Sequence, residues 1–147
     1  MAITINKYDN FLLGQMNGSP NSVIDFDTDD IRVSLHSNSY VPNAAAHDFY
    51  DDVSFEVSGS NYTAGGTSLS SVTLTLASGV VKFDASDVTW LQSGSGFTNA
   101  RYAVIRKYNA TAGNSRLICY IDFGADIGNT VADLVLVWNS AGIINWQ

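Results

Sequence analysis

The sequence has few of the features on which several classes of protein depend. Its 147 residues include only seven Lys and Arg against fourteen Asp and Glu, which gives a net charge of -7. Proteins that bind nucleic acid need positive charge to meet the phosphates, so we expect no nucleic-acid partner. Charged residues make up 14% of the chain, against about a quarter in an average soluble domain, and neutral polar residues take their place.

Cysteine, glutamate and long apolar runs are also scarce. Cys119 is the only cysteine, which excludes an intrachain disulfide, and its place in the apolar run 117–121 predicts a buried, unreactive thiol. Glu56 is the only glutamate, and acid that is almost all Asp favours turns over helices. No window approaches the ~20 apolar residues of a membrane span, and the start is too polar for a signal peptide. We therefore expect a protein that does not enter a membrane and is made in a reducing cytoplasm.

The beginning of the chain predicts a short helix. The apolar positions in residues 6–18 have the spacing of one helix face: Tyr8, Phe11, Leu12 and Met16. Asn6 can cap this helix and Gly18 can end it. We expect the helix to pack on a sheet.

The rest of the chain has the alternating pattern of β-strands. The predicted strands cover residues 31–36, 72–76, 80–83, 88–91, 100–108, 116–123, 131–138 and 143–146. A turn at 77–79 and a loop tip at 109–115 predict two hairpins, and 47–53 predicts a single helical turn. Short strands at this spacing predict a mainly β fold, an antiparallel β-sandwich or jelly-roll-like single domain over residues 1–147 with a short N-terminal helix.

Two of the predicted strands, 117–121 and 134–138, are apolar on both faces. A two-layer sandwich normally leaves one face of each sheet polar, so either the N-terminal helix or another subunit must cover the second face. We expect a homo-oligomer, with a trimer favoured. Residues 1–7 can form an extended arm that adds a strand to a neighbouring subunit.

Two acidic segments are candidates for metal binding. Residues 25–30 place carboxylates at alternate positions, as calcium loops do, but the sixth and twelfth places of such a loop hold Asp30 and His36 instead of Gly and Glu. The alternative is a turn whose Asp side chains cap backbone amides. Residues 47–52 put His47 near three carboxylates, but zinc needs three or four ligands and nothing in the sequence brings His36 to it. The sequence therefore predicts no metal ligands.

No set of residues predicts catalysis or cofactor binding. There is no G-x-S-x-G elbow, and Cys119 lies within an apolar strand where the thiolate is disfavoured. The double glycine in 62–67 lacks the Lys and the following helix of a P-loop, and a tight turn is the simpler interpretation. Three tryptophans, at Trp90, Trp138 and Trp146, can form a sugar-binding face, although aromatic residues in strands are more often core or interface anchors. We expect no catalytic residues, no cofactor and no enzyme activity.

Seven segments carry a resemblance to a known family. They are MAITINKYDNFLLG (1–14), DIRVSL (30–35), VSGSNYTAGG (57–66), VKFDASDVTW (81–90), ARYAV (100–104), YIDFG (120–124) and WNSAGI (138–143). In this order they resemble a family of small virion structural proteins of tailed bacteriophages, and they span nearly the whole chain. The loop 91–96 is slightly longer than the family pattern. The resemblance implies a place in the virion and supplies no catalytic residues.

These observations lead to a capsid decoration (cement) protein as the expected function. Such a protein binds the outer surface of the shell formed by the phage major capsid protein, after synthesis in the cytoplasm of the host bacterium. One alternative is a tail, collar or fibre-associated component, which implies a low copy number. Another, from a different class, is a carbohydrate-binding module that aids adsorption through an exposed Trp.

Overall fold

The computed structural model describes residues 3–147, which form ten β-strands, one α-helix and two short 3-10 turns. In chain order the elements are β1 (Thr4–Lys7), α1 (Asp9–Asn17), β2 (Ile31–His36), a 3-10 turn (Tyr50–Asp52), β3 (Thr67–Ser68), β4 (Thr73–Ala77), β5 (Val80–Asp84), β6 (Val88–Trp90), β7 (Ala100–Lys107), a 3-10 turn (Ala112–Asn114), β8 (Leu117–Ile127), β9 (Leu134–Leu136) and β10 (Ile144–Trp146). The mainly β class with a short helix near the N-terminus is confirmed. Neither α1 nor the 3-10 turns of the described residues is long and apolar enough to cross a membrane.

The strands form three antiparallel sheets. The largest has the order β1-β8-β7-β2-β3, the second β10-β5-β4, and the third β6-β9. Strands β7 and β8 form the long hairpin that the loop tip at 109–115 predicts, and β4 and β5 form the other predicted hairpin. The sequence pattern missed β3, which has only two residues, and it predicted β1 only as part of an arm that adds a strand to a neighbouring subunit.

One face of the five-stranded sheet packs on the two smaller sheets. In the central register Val33 lies opposite Ile105, and Ile105 lies opposite Cys119. These side chains share one apolar core with Phe83 of the three-stranded sheet and Trp90 of the two-stranded sheet. The arrangement is therefore sandwich-like, and burial of this shared core is the main source of its stability.

The other face of the five-stranded sheet is covered by the chain's own segment 37–53. Tyr40 from this segment packs with Val104 and Leu117 of the sheet, and Tyr50 and Val53 pack against the same cluster. The expected cover, α1, contributes only Tyr8 at its start to this cluster, and the rest of the cover comes from a connecting segment without strands. In the second apolar strand, by contrast, the side chains at 135 and 137 are 48% and 66% exposed.

Helix α1 is shorter than predicted, and of its predicted apolar face only Tyr8 and Phe11 are buried. It begins at Asp9, after a Tyr8 N-cap that has no side-chain cap, while Asn6 belongs to β1. Gly18 ends it in the left-handed conformation, as predicted. Phe11 and Gly14 are the buried residues of the helix, whereas the predicted face residues Leu12 and Met16 are 49% and 80% exposed.

The predicted N-terminal arm is part of the chain's own sheet from Thr4 onward. Thr4 lies opposite Asp122 and Lys7 lies opposite Cys119, in antiparallel register with β8. The prediction of a free arm is therefore wrong for residues 4–7, because pairing within the chain satisfies the backbone of this segment without the entropy cost of recruiting another subunit. Residues 1 and 2 of the arm lie outside the described residues.

Candidate functional site

The aspartates of 25–30 bind backbone amides and basic side chains of the protein itself. A carboxylate oxygen of Asp25 accepts from the amide of Asp27 at 3.0 Å, and one of Asp29 accepts from the amide of Asp25 at 2.8 Å. Asp29 also pairs with Lys107 at 2.9 Å, and Asp30 forms an ion pair of its own. The segment is thus the capped turn that was the alternative to a calcium loop. No cluster of three metal-ligating side chains occurs among residues 3–147.

Both histidines pack against the ring of one tyrosine, a placement that the sequence did not indicate. The Tyr40 ring contacts the His36 ring at 5.5 Å and the His47 ring at 5.8 Å, centroid to centroid. The Tyr40 hydroxyl bonds the Tyr8 hydroxyl at 2.8 Å and His47 Nδ1 at 3.0 Å. Of the carboxylates near His47, that of Asp52 accepts from the backbone amide at position 48. Both histidines are therefore part of an aromatic cluster centred on Tyr40.

A chain of buried hydrogen bonds runs across the covered face of the five-stranded sheet. Arg106 Nη1 donates to Ser34 Oγ at 3.0 Å, Ser34 Oγ bonds His36 Nε2 at 2.9 Å, and His36 Nδ1 bonds the carbonyl of Ser54 at 2.9 Å. A carbonyl can only accept, so Nδ1 of His36 carries the proton. Nε2 then accepts from the Ser34 hydroxyl. Every donor and acceptor in this series of hydrogen bonds has a partner only while the imidazole of His36 is neutral.

Burial and charge both favour that neutral imidazole. His36 is completely buried, and burial lowers its pKa from 6.5 to about 4, with a smaller contribution in the same direction from the Arg106 guanidinium; the hydrogen bond to Ser54 opposes both. A serine next to a histidine resembles part of a nucleophilic pair. Ser34 and His36 are both 0% exposed, however, so a substrate cannot reach Ser34 Oγ, and the pair has a structural role.

Arg106 is the largest fully buried side chain of the described residues. Its guanidinium lies 3.4 Å from the centroid of the Tyr50 ring and donates to the carbonyl of Gly65 at 2.8 Å. The pKa of Arg106 is lowered, chiefly by burial, and its Nε has no hydrogen-bond partner among residues 3–147. Glu56 accepts instead from the Tyr62 hydroxyl at 2.7 Å and from the Gly65 amide at 2.8 Å. Arg106 therefore ties Tyr50 and Gly65, both in the connection between β2 and β3, to the five-stranded sheet.

The remaining sequence candidates are structural as well. Cys119 is fully buried, and burial raises the pKa of its thiol, so the thiolate needed for reaction is disfavoured. The double glycine closes a tight turn in which the Gly66 amide donates to the carbonyl of Thr63 at 3.0 Å. A Cβ on Gly66 would lie 2.2 Å from the carbonyl oxygen of Val33. This glycine is therefore needed for close packing of the turn on β2.

The tryptophans do not form an exposed face. Trp90 and Trp138 are 3% and 9% exposed, and the indole N–H of Trp138 donates to the carbonyl of Ser86 at 2.9 Å. Trp146 is partly buried against the core and lies 5.6 Å from the Phe11 ring. Sugar rings stack on aromatic faces that solvent can reach. Trp90 and Trp138 offer almost no such surface, and Trp146 offers only the part that its neighbours leave uncovered.

Apolar side chains are instead exposed in two grooves. The first has a volume of about 230 Å³ and lies between α1 and the β4–β5 hairpin; its lining is Phe11, Leu12, Gln15, Ile24, Phe26, Leu74, Val81 and Trp146. The second has a volume of about 210 Å³ and lies between the β1–β8 edge and β9; its lining is Ile3, Phe123, Ile127, Leu134, Val135, Leu136 and Val137. Both grooves leave large apolar side chains open to solvent, whereas the buried polar groups are closed to it.

Comparisons with known proteins return no relatives. No protein-family model, no curated protein and no solved structure matches the chain.

Proposed function

We propose that this protein is a structural component of a tailed-bacteriophage particle and that it decorates the outside of the head. The observation that carries the proposal is the distribution of polar and apolar groups. The polar residues of catalytic type, such as Ser34 and His36, are buried in a structural cluster, while the two grooves expose large apolar side chains. The resemblance of the sequence to small virion proteins supports the same role. The protein has no reaction to catalyse in this proposal.

The groove beside β9 is the surface that we assign to the major capsid protein. Val135 and Val137 are 48% and 66% exposed there, and Ile3 at the opposite wall is 62% exposed. The net charge of -7 favours docking on a basic shell surface. A standard protein contact buries about 1,600 Å², and contacts repeated over a shell gain strength through multivalency. Decoration stabilises the head by adding this area across joints between capsid subunits.

Reconstruction of purified particles by cryo-EM, with the copy number measured by quantitative mass spectrometry, tests the role. Decoration predicts density for this chain at repeated positions over the shell. A few copies confined to the tail, collar or fibres would refute decoration and favour the second structural role. Glycan binding that depends on Trp146 would favour the adsorption module.

A binding experiment tests the assigned surface separately. Val137→Asp places a charge in the groove beside β9, and we expect it to reduce binding to undecorated heads by about tenfold or more, since burying an unpaired carboxylate is costly. Val41→Asp is the matched control, because Val41 is 75% exposed and lies outside both grooves. Equal loss with both variants would show that the groove is not the contact.

A further inference from the structure

Strand β4 is an unprotected sheet edge. It pairs with β5 on one side only, and all five of its residues, 73 to 77, are exposed. Natural edge strands are blunted by charge, proline, bulges or shortness, because an open row of N–H and C=O groups accepts another strand. The other edges are blunted in this way: β3 has two residues, β6, β9 and β10 have three each, and β1 carries Lys7. Strand β4 has none of these features.

The backbone groups that face outward from β4 are those of Leu74 and Leu76. The hairpin closes through the pair Ala77 and Val80, whose hydrogen bonds define its two-residue turn, so alternation directs the groups at 73, 75 and 77 toward β5. The carbonyl of Phe83, opposite Leu74, accepts instead from the amide of Ile143 at 2.8 Å on the β10 side. The groups of Leu74 therefore point to the open edge, as do those of Leu76.

Charge is absent from this part of the chain. No Asp, Glu, Lys or Arg occurs between Glu56 and Lys82, although the whole chain has a net charge of -7. Two copies of an acidic protein repel each other over most of their surfaces, and β4 lies within the stretch where that repulsion is least. The missing charge distinguishes a second copy from a basic partner as the occupant of this edge.

The strand is also complementary to itself. An antiparallel pair centred on Thr75 sets Leu74 of each copy opposite Leu76 of the other, and Thr73 opposite Ala77. Leu74 already lines the apolar groove beside α1, and Leu76, two residues on, lies on the same face of the strand and is 72% exposed. The outward groups at 74 and 76 then form about four hydrogen bonds between the copies, and the leucines of both copies join in one apolar row.

We propose that two copies of this chain associate through β4 and form a continuous six-stranded sheet, β10-β5-β4 followed by β4-β5-β10 of the second copy. The interface is two-fold symmetric, with Thr75 on the axis. It does not depend on the proposed function. Because pairing of this kind joins two copies, it differs from the trimer that the sequence analysis favours.

Sedimentation equilibrium and light scattering, with the wild-type protein at 1 to about 200 μM, test the proposal. A dimer is expected, and Leu76→Lys should raise its dissociation constant about tenfold or more by placing an edge lysine opposite Leu74. Leu91→Lys, at a side chain 58% exposed and distant from β4 in sequence, should leave the dimer unchanged. A wild-type monomer, a trimer, or a dimer insensitive to Leu76→Lys would overturn the proposal.

Cysteine cross-linking tests the register. Thr75→Cys places two thiols in a non-hydrogen-bonded pair at the axis, with Cα atoms about 4.5 Å apart, which is within disulfide reach. Thr73→Cys lies on the same face of the same strand, but its two copies are offset by about 13 Å along the strand direction. Oxidised dimer from Thr75→Cys alone is expected, since Cys119 is buried. Equal cross-linking of both variants, or of neither, would refute this register.

Discussion

Acid should destabilise this protein through protonation of His36. The unfolded chain binds a proton at this histidine below pH 6.5, whereas burial keeps the folded imidazole neutral down to about pH 4. Above pH 6.5 the His36 imidazole is neutral in both states and does not make stability depend on pH. Between the two pKa values only the unfolded chain binds the proton, so the free energy of unfolding falls as the pH drops through this window. The slope is about 1.4 kcal/mol for each pH unit, which gives a total of about 3 kcal/mol between the two pKa values.

The hydrogen-bond chain gives the physical reason for this low pKa. A protonated His36 would carry a proton on Nε2 and direct it at Ser34 Oγ, which already receives Nη1–H of Arg106 at 3.0 Å and the Tyr50 hydroxyl at 3.2 Å. The Ser34 proton would then lose its acceptor. The nearby Arg106 guanidinium adds repulsion. Protonation thus costs a hydrogen bond as well as desolvation of the charge.

Urea unfolding of the wild-type protein and of His36→Gln, at intervals from pH 7.5 to 4, measures the effect. His36→Gln should be less stable at pH 7, because it disturbs the buried chain, but it should lack the part of the pH slope that belongs to the imidazole. The two curves should therefore converge by about 3 kcal/mol between pH 6.5 and 4. His47→Gln is the control for the second histidine. Parallel curves for the wild type and His36→Gln would refute the reasoning.

Three further predictions concern stability and use thermal or urea unfolding. Gly66→Ala should cost about 2 kcal/mol or more, because its Cβ would lie 2.2 Å from the Val33 carbonyl oxygen, while Gly79→Ala, with open space around its Cβ, should cost only about 1 kcal/mol; equal costs would contradict the close contact. Ser78 has φ 52° in the β4–β5 turn, so Ser78→Asn should stabilise by a few tenths to about 1 kcal/mol, and a loss of stability would argue against this turn type. Phe83 is 0% exposed at the centre of the sandwich, and Phe83→Ala should cost about 3–5 kcal/mol; a cost below about 1 kcal/mol would show that Phe83 does not anchor the core.

Local pattern was enough to predict most of the strands and both hairpins. Strand 31–36 has the predicted bounds, and strand 100–108 ends one residue earlier than predicted. The hairpins are accessible to sequence reasoning because their partners are neighbours in the chain and the turn between them has its own residue preferences. The predicted strand 131–138 is only Leu134–Leu136 in the structure. A run of apolar residues indicates that a segment can be buried, but it does not indicate which part of the segment pairs with another strand.

The pairing of distant segments could not be predicted in this way. Strand β1 pairs with β8, and β2 pairs with β7, across separations that many topologies of short strands would allow. The apolar pattern of helix α1 predicted two of the buried residues wrongly, because the Arg116 side chain lies between this helix and the rest of the protein. A Cβ on Gly14 would lie 2.6 Å from the Arg116 guanidinium, so the helix approaches the sheet along its glycine side and leaves Leu12 partly exposed.

The buried polar cluster also separates what the sequence determines from what only the tertiary structure decides. Sequence alone indicated that the chain is β-rich, acidic and without a recognisable catalytic set, because composition and short-range periodicity are properties of neighbouring residues. Only the tertiary structure decided that Arg106, Ser34 and His36 share one buried chain of hydrogen bonds, that segment 37–53 covers the second face of the sheet, and that β4 is left open. Each of these depends on which distant segments meet when the loops close, and the free energy of that choice is spread over the whole fold rather than encoded in one stretch of residues.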